Sequence, residues 1–165
     1  ADEKREDIDQ ALSYAQQSYA IWKLKEDTMQ MANLKKYTGL LQGKLKQYDE
    51  AFADLDTATL LYFKIPFFQG LAVTQFNRAQ VNFLSGDIEQ AEADFLQVQQ
   101  FWRTQGDRIR IFINNNFGLK LYHALNDQEA IDGLVAENEQ IMAMENLPPV
   151  VLKNWESVKA EHFGN

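Results

Sequence analysis

Cysteine is absent from the 165 residues, which excludes disulfides, thiolate metal sites and cysteine nucleophiles while leaving the compartment open. Histidine is nearly absent: His123 and His162 stand 39 positions apart without an HExxH-like grouping, so a zinc site or a nucleophile–base pair lacks its parts. No serine elbow and no phosphate-cradling glycine loop occurs; no catalytic residues, metal or cofactor are therefore expected, and the chain reads as a non-enzyme. Long apolar runs are missing too. The most apolar stretch, LLYFKIPFF at 60–68, is broken by Lys64 and Pro66, far short of the roughly 20 residues a membrane span needs; no membrane insertion is expected. Basic residues are outnumbered 16 to 24, for a net charge of −8, which argues against a nucleic-acid or anionic-membrane partner, because such surfaces need a basic face to displace counterions. No alternating β-branched run suggests a strand, and no Ser/Gly/Pro-rich linker divides the chain, so one domain over residues 1–165 is expected. The opening ADEKRED carries neither initiator Met nor hydrophobic signal region and fits a domain cut from a longer protein, with cytoplasm expected ahead of periplasm.

What is present is apolar content of 45% with 12% aromatics, enough for a packed core, arranged with a period. In GDIEQAEADFLQVQQFWRTQGD, residues 86–107, Ile88, Ala91, Phe95, Val98 and Trp102 fall at steps of 3, 4, 3 and 4, one face of an amphipathic helix. The flanking Gly-Asp pairs read as helix–helix corners: glycine takes the left-handed conformation that closes one helix, and aspartate accepts from the free N–H groups that open the next. Forty residues earlier Tyr48, Ala51, Leu55 and Ala58 repeat the pattern. Ala11, Ala51, Ala91 and Ala130 follow at 40, 40 and 39, as do the pairs Ile21-Trp22, Leu61-Tyr62 and Phe101-Trp102 at 40 and 40. A second small set, Gly39, Ala79 and Gly118, stands twelve residues ahead of Ala51, Ala91 and Ala130, so each repeat holds two helices whose small residues let the axes approach. Helices are expected at 4–24, 27–44, 47–64, 67–84, 87–105, 107–124, 127–144 and 149–162, the last, with Val151, Trp155, Val158 and His162 on one face, acting as a cap.

These residues resemble the tetratricopeptide repeat family. NRAQVNFLSGDIEQAEADF, residues 77–95, carries the signature order of small residue (Ala79), Gly86, apolar Ile88, Ala91 and aromatic Phe95; residues 31–58 match at Gly39, Tyr48, Ala51, Leu55 and Ala58 but have Lys46 at the turn-glycine position, and 112–134 match at Gly118, Ala130 and Leu134. The 39–40-residue spacing exceeds the family's common 34, as in long repeats of bacterial signalling regulators, and HEAT-type repeats share the longer period. The resemblance implies an all-α, right-handed superhelix of helical hairpins with a C-terminal capping helix, whose concave side holds a peptide or a partner helix. The function it implies is a protein-interaction module, a sensory or scaffolding part of a bacterial signalling or regulatory protein. A self-associating scaffold, as a homodimer, is the alternative, since residues 8–22 resemble a lone second helix and the helix at 4–24 is left needing a mate.

On that geometry, first helices line the groove, with Lys36, Leu40, Phe76, Gln80, Phe83, Asn115, Leu119 and Tyr122 as the candidate partner-binding residues. Phe68, Ala72, Phe76, Ala79 and Phe83 also read as one buried stripe. The carboxylate-binding clamp of some family members is not carried over: Lys36 and Asn77 suit it, whereas Leu40, Phe112 and Asn116 replace the polar groups it needs. Six lysines against Glu26 and Asp27 give residues 23–46 a local charge of +4, readable as snorkelling side chains or as a docking patch for an acidic partner. Asn114, Asn115 and Asn116 cannot all face one way on a helix, so at least one is expected to face solvent. Carboxylates on second helices, Glu89, Glu92 and Asp94 and then Asp127, Glu129 and Asp132, read as a solvated helix face.

Overall fold

The computed structural model describes the backbone of residues 2–163 and the side chains of residues 5–161. Among the described residues there is no strand, and the chain forms eight α-helices: α1 (Asp2–Leu24), α2 (Thr28–Lys44), α3 (Tyr48–Lys64), α4 (Phe68–Ser85), α5 (Ile88–Gln105), α6 (Arg108–Leu125), α7 (Gln128–Met144) and α8 (Pro149–Phe163). Each stands where the periodicity places it, within two residues.

The corners form for the reason their chemistry suggests. Gly86 (φ +93) and Gly106 (φ +67) are left-handed, and the next residue's carboxylate accepts from the third N–H along: Asp87 from Gln90 at 3.1 Å, Asp107 from Arg110 at 3.0 Å. The same device closes the α1–α2 and α6–α7 corners without glycine, and its left-handed half alone recurs at α2–α3, where Gln47 makes no cap. Glu26, Lys46 and Asn126 adopt φ of 55, 63 and 56, and Asp27 and Asp127 cap α2 and α7 in turn. Pro66 lies between α3 and α4, outside both helices. The α3 end is closed by Phe67 N–H donating to the Tyr62 carbonyl at 3.2 Å, so the residue without an N–H sits one position earlier, where no donor is required.

By Cα packing the chain divides into two compact units, residues 1–91 and 92–165. In the first, α1 packs on α2, α2 on α3 and on α4, and α3 on α4. Small residues permit this. A Cβ built on Gly39 would lie 2.7 Å from Leu55 Cγ and 2.9 Å from the Ala51 carbonyl oxygen; one on Gly43 would lie 2.6 Å from Val81 Cγ2. Around these approaches Ala32, Ala58, Leu61 and Tyr62 form one buried cluster, and Ala51, Leu55 and Val81 another. In the second unit α6 packs on both α7 and α8, and Gly118 is its point of closest approach: an added Cβ would stand 2.6 Å from Phe95 Cζ and 2.7 Å from Leu134 Cδ1. Phe95 stacks edge-on to Tyr122, and Phe112 meets Trp155 of α8 at 5.7 Å, which is how the last helix covers α6. His162 lies outside the described side chains. Contacts between alternate helices, α2 with α4 and α6 with α8, make this an all-α, repeat-like arrangement.

Two glycines of the second unit separate packing from propensity. Gly118→Ala should destabilise by about 1–3 kcal/mol through overpacking, although alanine favours helix. Gly133→Ala, whose Cβ would meet nothing within 4 Å, should stabilise by about 0.5–1 kcal/mol. Urea midpoints of the two variants check the pair; equal shifts would contradict the packing assignment.

Candidate protein-interaction surfaces

The eight residues expected to line a groove separate into two groups. Lys36, Leu40, Phe76, Gln80 and Phe83, on α2 and α4, are half-buried; Asn115, Leu119 and Tyr122, on α6, are buried. Lys36 is already engaged, with its ammonium 3.3 Å from Asn33 Oδ1 and 5.5 Å from the centre of the Tyr62 ring, while its carbonyl accepts from Asn77 Nδ2 at 3.0 Å. The α6 residues offer no open face. A position three before or four beyond a helical residue is rotated only about 40–60° from it, whereas the next residue lies about 100° away. Asn115 and Tyr122 therefore share the face of Gly118, which is turned towards α5 and α7; Asn115 is wholly enclosed there, against the expectation that it points into an open groove, while Tyr122 reaches the surface only at the cavity bordered by those two helices. Leu119, one step on, is covered because α6 is buried almost all round, with ten of its residues from Ile111 to Tyr122 inside.

What Asn115 does instead is hold a buried amide network. It accepts from Gln99 Nε2 at 2.9 Å and donates to Asn138 Oδ1 at 2.9 Å and to Glu137 Oε2 at 2.8 Å. Asn114 donates to Gln99 Oε1 at 2.6 Å, and Asn138 donates to Asn116 Oδ1 at 2.9 Å. All three consecutive asparagines are thus inside, which corrects the expectation that one faces solvent: α5, α7 and α8 surround α6 closely enough to take side chains pointing in different directions. Sequence periodicity misses this, because a polar triplet weakens the apolar signal of the helix that is in fact the most buried.

Beside the network, α5 and α7 border a cavity of about 510 Å³. Phe95, Leu96, Tyr122 and Leu134 form its apolar part, Ala130, Gly133 and Ala136 keep the α7 wall low, and Gln99, Arg103, Glu137 and Gln140 make a polar end. Arg103 closes that end with a two-pronged pair to Glu137, Nη2 to Oε2 at 2.9 Å and Nε to Oε1 at 3.3 Å. Burial, then the charge of Glu92 and a hydrogen bond to it, and finally Asp127, push the Tyr122 phenol from 10.0 up to about 12. Tyr62, donating to Asn33 Oδ1 at 2.6 Å, is likewise pushed up to about 12 by burial.

The first unit has a smaller, more polar cavity of about 250 Å³ bordered by α1 and α2 and reached by Asp54 of α3, lined by Ala15, Tyr19, Lys35, Thr38 and Asp54 among others. There Asp54 accepts from both Lys35 and Thr38, and Lys35 sits over the Tyr19 ring at 5.0 Å. Of the lysines at 23–46, Lys35 and Lys36 are therefore held within the fold, while Lys23, Lys25, Lys44 and Lys46 are exposed, with Lys25 lying over Trp22. The most apolar stretch of the sequence supplies the surface that helical periodicity did not mark: Leu60, Phe63 and Phe68 are 65%, 63% and 62% exposed. They surround the α3–α4 corner, next to exposed Lys64. Among the described residues no group of acidic or histidine side chains is arranged to hold a metal ion, and no helix is long and apolar enough to cross a membrane. No protein-family model matches the chain, and neither a curated protein nor a solved structure matches it.

Two measurements check this geometry. Asn115→Ala should lower the unfolding free energy by about 1–3 kcal/mol or more, since Gln99, Asn138 and Glu137 each lose a partner inside the fold, whereas Gln80→Ala should change the urea midpoint little. On the alkaline side, a phenol raised from 10 to about 12 is deprotonated first in the unfolded chain. The stability it contributes is therefore complete below pH 10 and lost as pH rises towards 12. Unfolding curves at pH 9 and pH 11.5 should show a smaller loss in Tyr62→Phe and Tyr122→Phe than in the parent, provided each variant is compared with itself at pH 9.

Proposed function

We propose that this chain is a tetratricopeptide-like protein-interaction module that docks a peptide or partner helix, in the setting of a bacterial signalling or regulatory protein. The observation that carries the reading is the set Leu60, Phe63 and Phe68. Three large apolar side chains more than 60% exposed at one corner lose hydration only when something covers them, at about 25 cal/mol for each Å² removed from water. A partner helix with apolar anchors answers that chemistry, and Lys64 beside Phe63 favours an acidic rim on it. Lys36, Leu40, Gln80, Phe76 and Phe83 remain half-accessible on first helices and belong to the same proposal as secondary contacts.

A second reading, self-association, is favoured by α1. Tyr14, Ile21 and Leu24 are 61%, 52% and 87% exposed at steps of 7 and 3, an outward apolar stripe opposite the buried Leu12 and Ala15. Light scattering across a concentration series decides it: a mass that stays at one chain sinks self-association.

For the principal reading, affinity capture from the source cells should be run with the parent chain and with Leu60→Ser/Phe63→Ser. Both side chains are exposed, so helicity and thermal midpoint should hold, while a specifically retained protein should be lost from the double variant. Equal retention by both chains would move the interaction away from this corner.

A further inference from the structure

The cavity between α5 and α7 is built from the second unit alone and has a chemistry of its own. Its boundary runs from Phe95 to Arg103 on α5 and from Ala130 to Gln140 on α7, about 12–15 Å at the 1.5 Å rise of a helix, which is two to three turns. Its apolar part, Phe95, Leu96, Tyr122 and Leu134, gives way to the polar end at Arg103 and Gln140, and the α7 side is built from small residues. Gly133 has open space where a Cβ would stand. A third backbone can therefore approach closely, as it does at the small-residue contacts within the fold. The electrostatics are one-sided. By helical position the carboxylates on the faces that border the groove are Glu92 on α5 and Glu129 and Glu137 on α7, against the single cation Arg103, which is already paired with Glu137; Asp94 is buried.

We infer that this groove docks a cationic amphipathic helix. Its apolar residues, spaced i, i+3 or i+4 and i+7, would rest on Phe95, Leu96 and Leu134. Lysine or arginine on its flank would meet Glu92, whose carboxylate Tyr122 holds by a hydrogen bond at one end of the groove. Charge complementarity selects this occupant over an acidic peptide, which the same walls repel. The length and the low α7 wall select a helix over a compact metabolite.

The test uses the full chain and a fluorescein-labelled 15-residue peptide of leucine and lysine in amphipathic order, titrated by anisotropy at physiological salt, with a scrambled peptide of identical composition. The ordered peptide should bind saturably and at least about tenfold more tightly than the scrambled one, since attraction by net charge alone treats the two alike. Gly133→Gln fills the groove without adding apolar surface and improves helix propensity, so it should weaken the ordered peptide about tenfold with a thermal midpoint that is not lowered. Glu92→Gln keeps a group able to accept from Tyr122 but removes the charge, and should weaken binding several-fold and flatten its salt dependence. Leu60→Ser/Phe63→Ser should leave this affinity alone, which keeps the result separate from the corner surface. Equal affinity for both peptides, or no effect of Gly133→Gln, overturns the proposal. So does self-association of the parent chain that Gly133→Gln abolishes, because it would give the groove to a second copy.

Discussion

The fold depends on how closely two helices can approach where side chains are missing. Gly39 lies against Ala51 and Leu55 of the neighbouring helix, and Gly118 between Phe95 and Leu134, each with no room for one more carbon. Because axes meet there, long side chains are displaced to the flanks, where Tyr62, Phe112 and Trp155 fill the space between helix pairs. The corners serve the same constraint. A left-handed residue followed by a capping aspartate reverses the chain within three residues, and at Glu26 and Asn126 the conformation is adopted without glycine. Strain of that kind, of order 1 kcal/mol for a non-glycine residue, is offset by the cap and by the burial that the turn makes possible.

The second unit adds a polar condition to the apolar one. Gln99, Asn114, Asn115, Asn116 and Asn138 are all buried, and their amides pair only if α5, α6 and α7 keep one rotational and axial register. An all-apolar interior would tolerate sliding; this one does not. The register so held keeps Glu137 and Arg103 in place beside the α5–α7 cavity.

Much of this architecture was legible in the sequence, for reasons that particular residues make plain. The 3-4 spacing of Ile88, Ala91, Phe95, Val98 and Trp102 reports a single buried face, and Gly86-Asp87 and Gly106-Asp107 report corners through local backbone chemistry, so helix limits followed closely. Surfaces were less legible. Groove lining was assigned to Asn115 although it stands within about 60° of Gly118 on the helix, and that small residue marks the packed face. Covering of α6 by α8 depends on contacts such as Phe112 with Trp155, 43 positions apart, which no local pattern encodes. The exposed corner was visible as LLYFKIPFF, yet a run that alternates between core and surface, Leu61 and Tyr62 inside, Leu60 and Phe63 outside, does not say from sequence which members are covered. The α5–α7 cavity was similarly hidden, because Glu92 and Asp132 look like any solvated helix face until the floor beneath them is known.

The most direct measurement of the central constraint is a size-compensation cycle at Gly118: the single variants Gly118→Ala and Phe95→Leu, and the double variant, compared by urea unfolding. If the missing side chain at Gly118 exists to admit the Phe95 ring, whose Cζ would lie 2.6 Å from an added Cβ, shortening that ring should relieve the strain. The double variant should then be more stable than the sum of the two single effects by about 1 kcal/mol or more. Additivity within about 0.5 kcal/mol would contradict the close approach on which the rest of the fold is built.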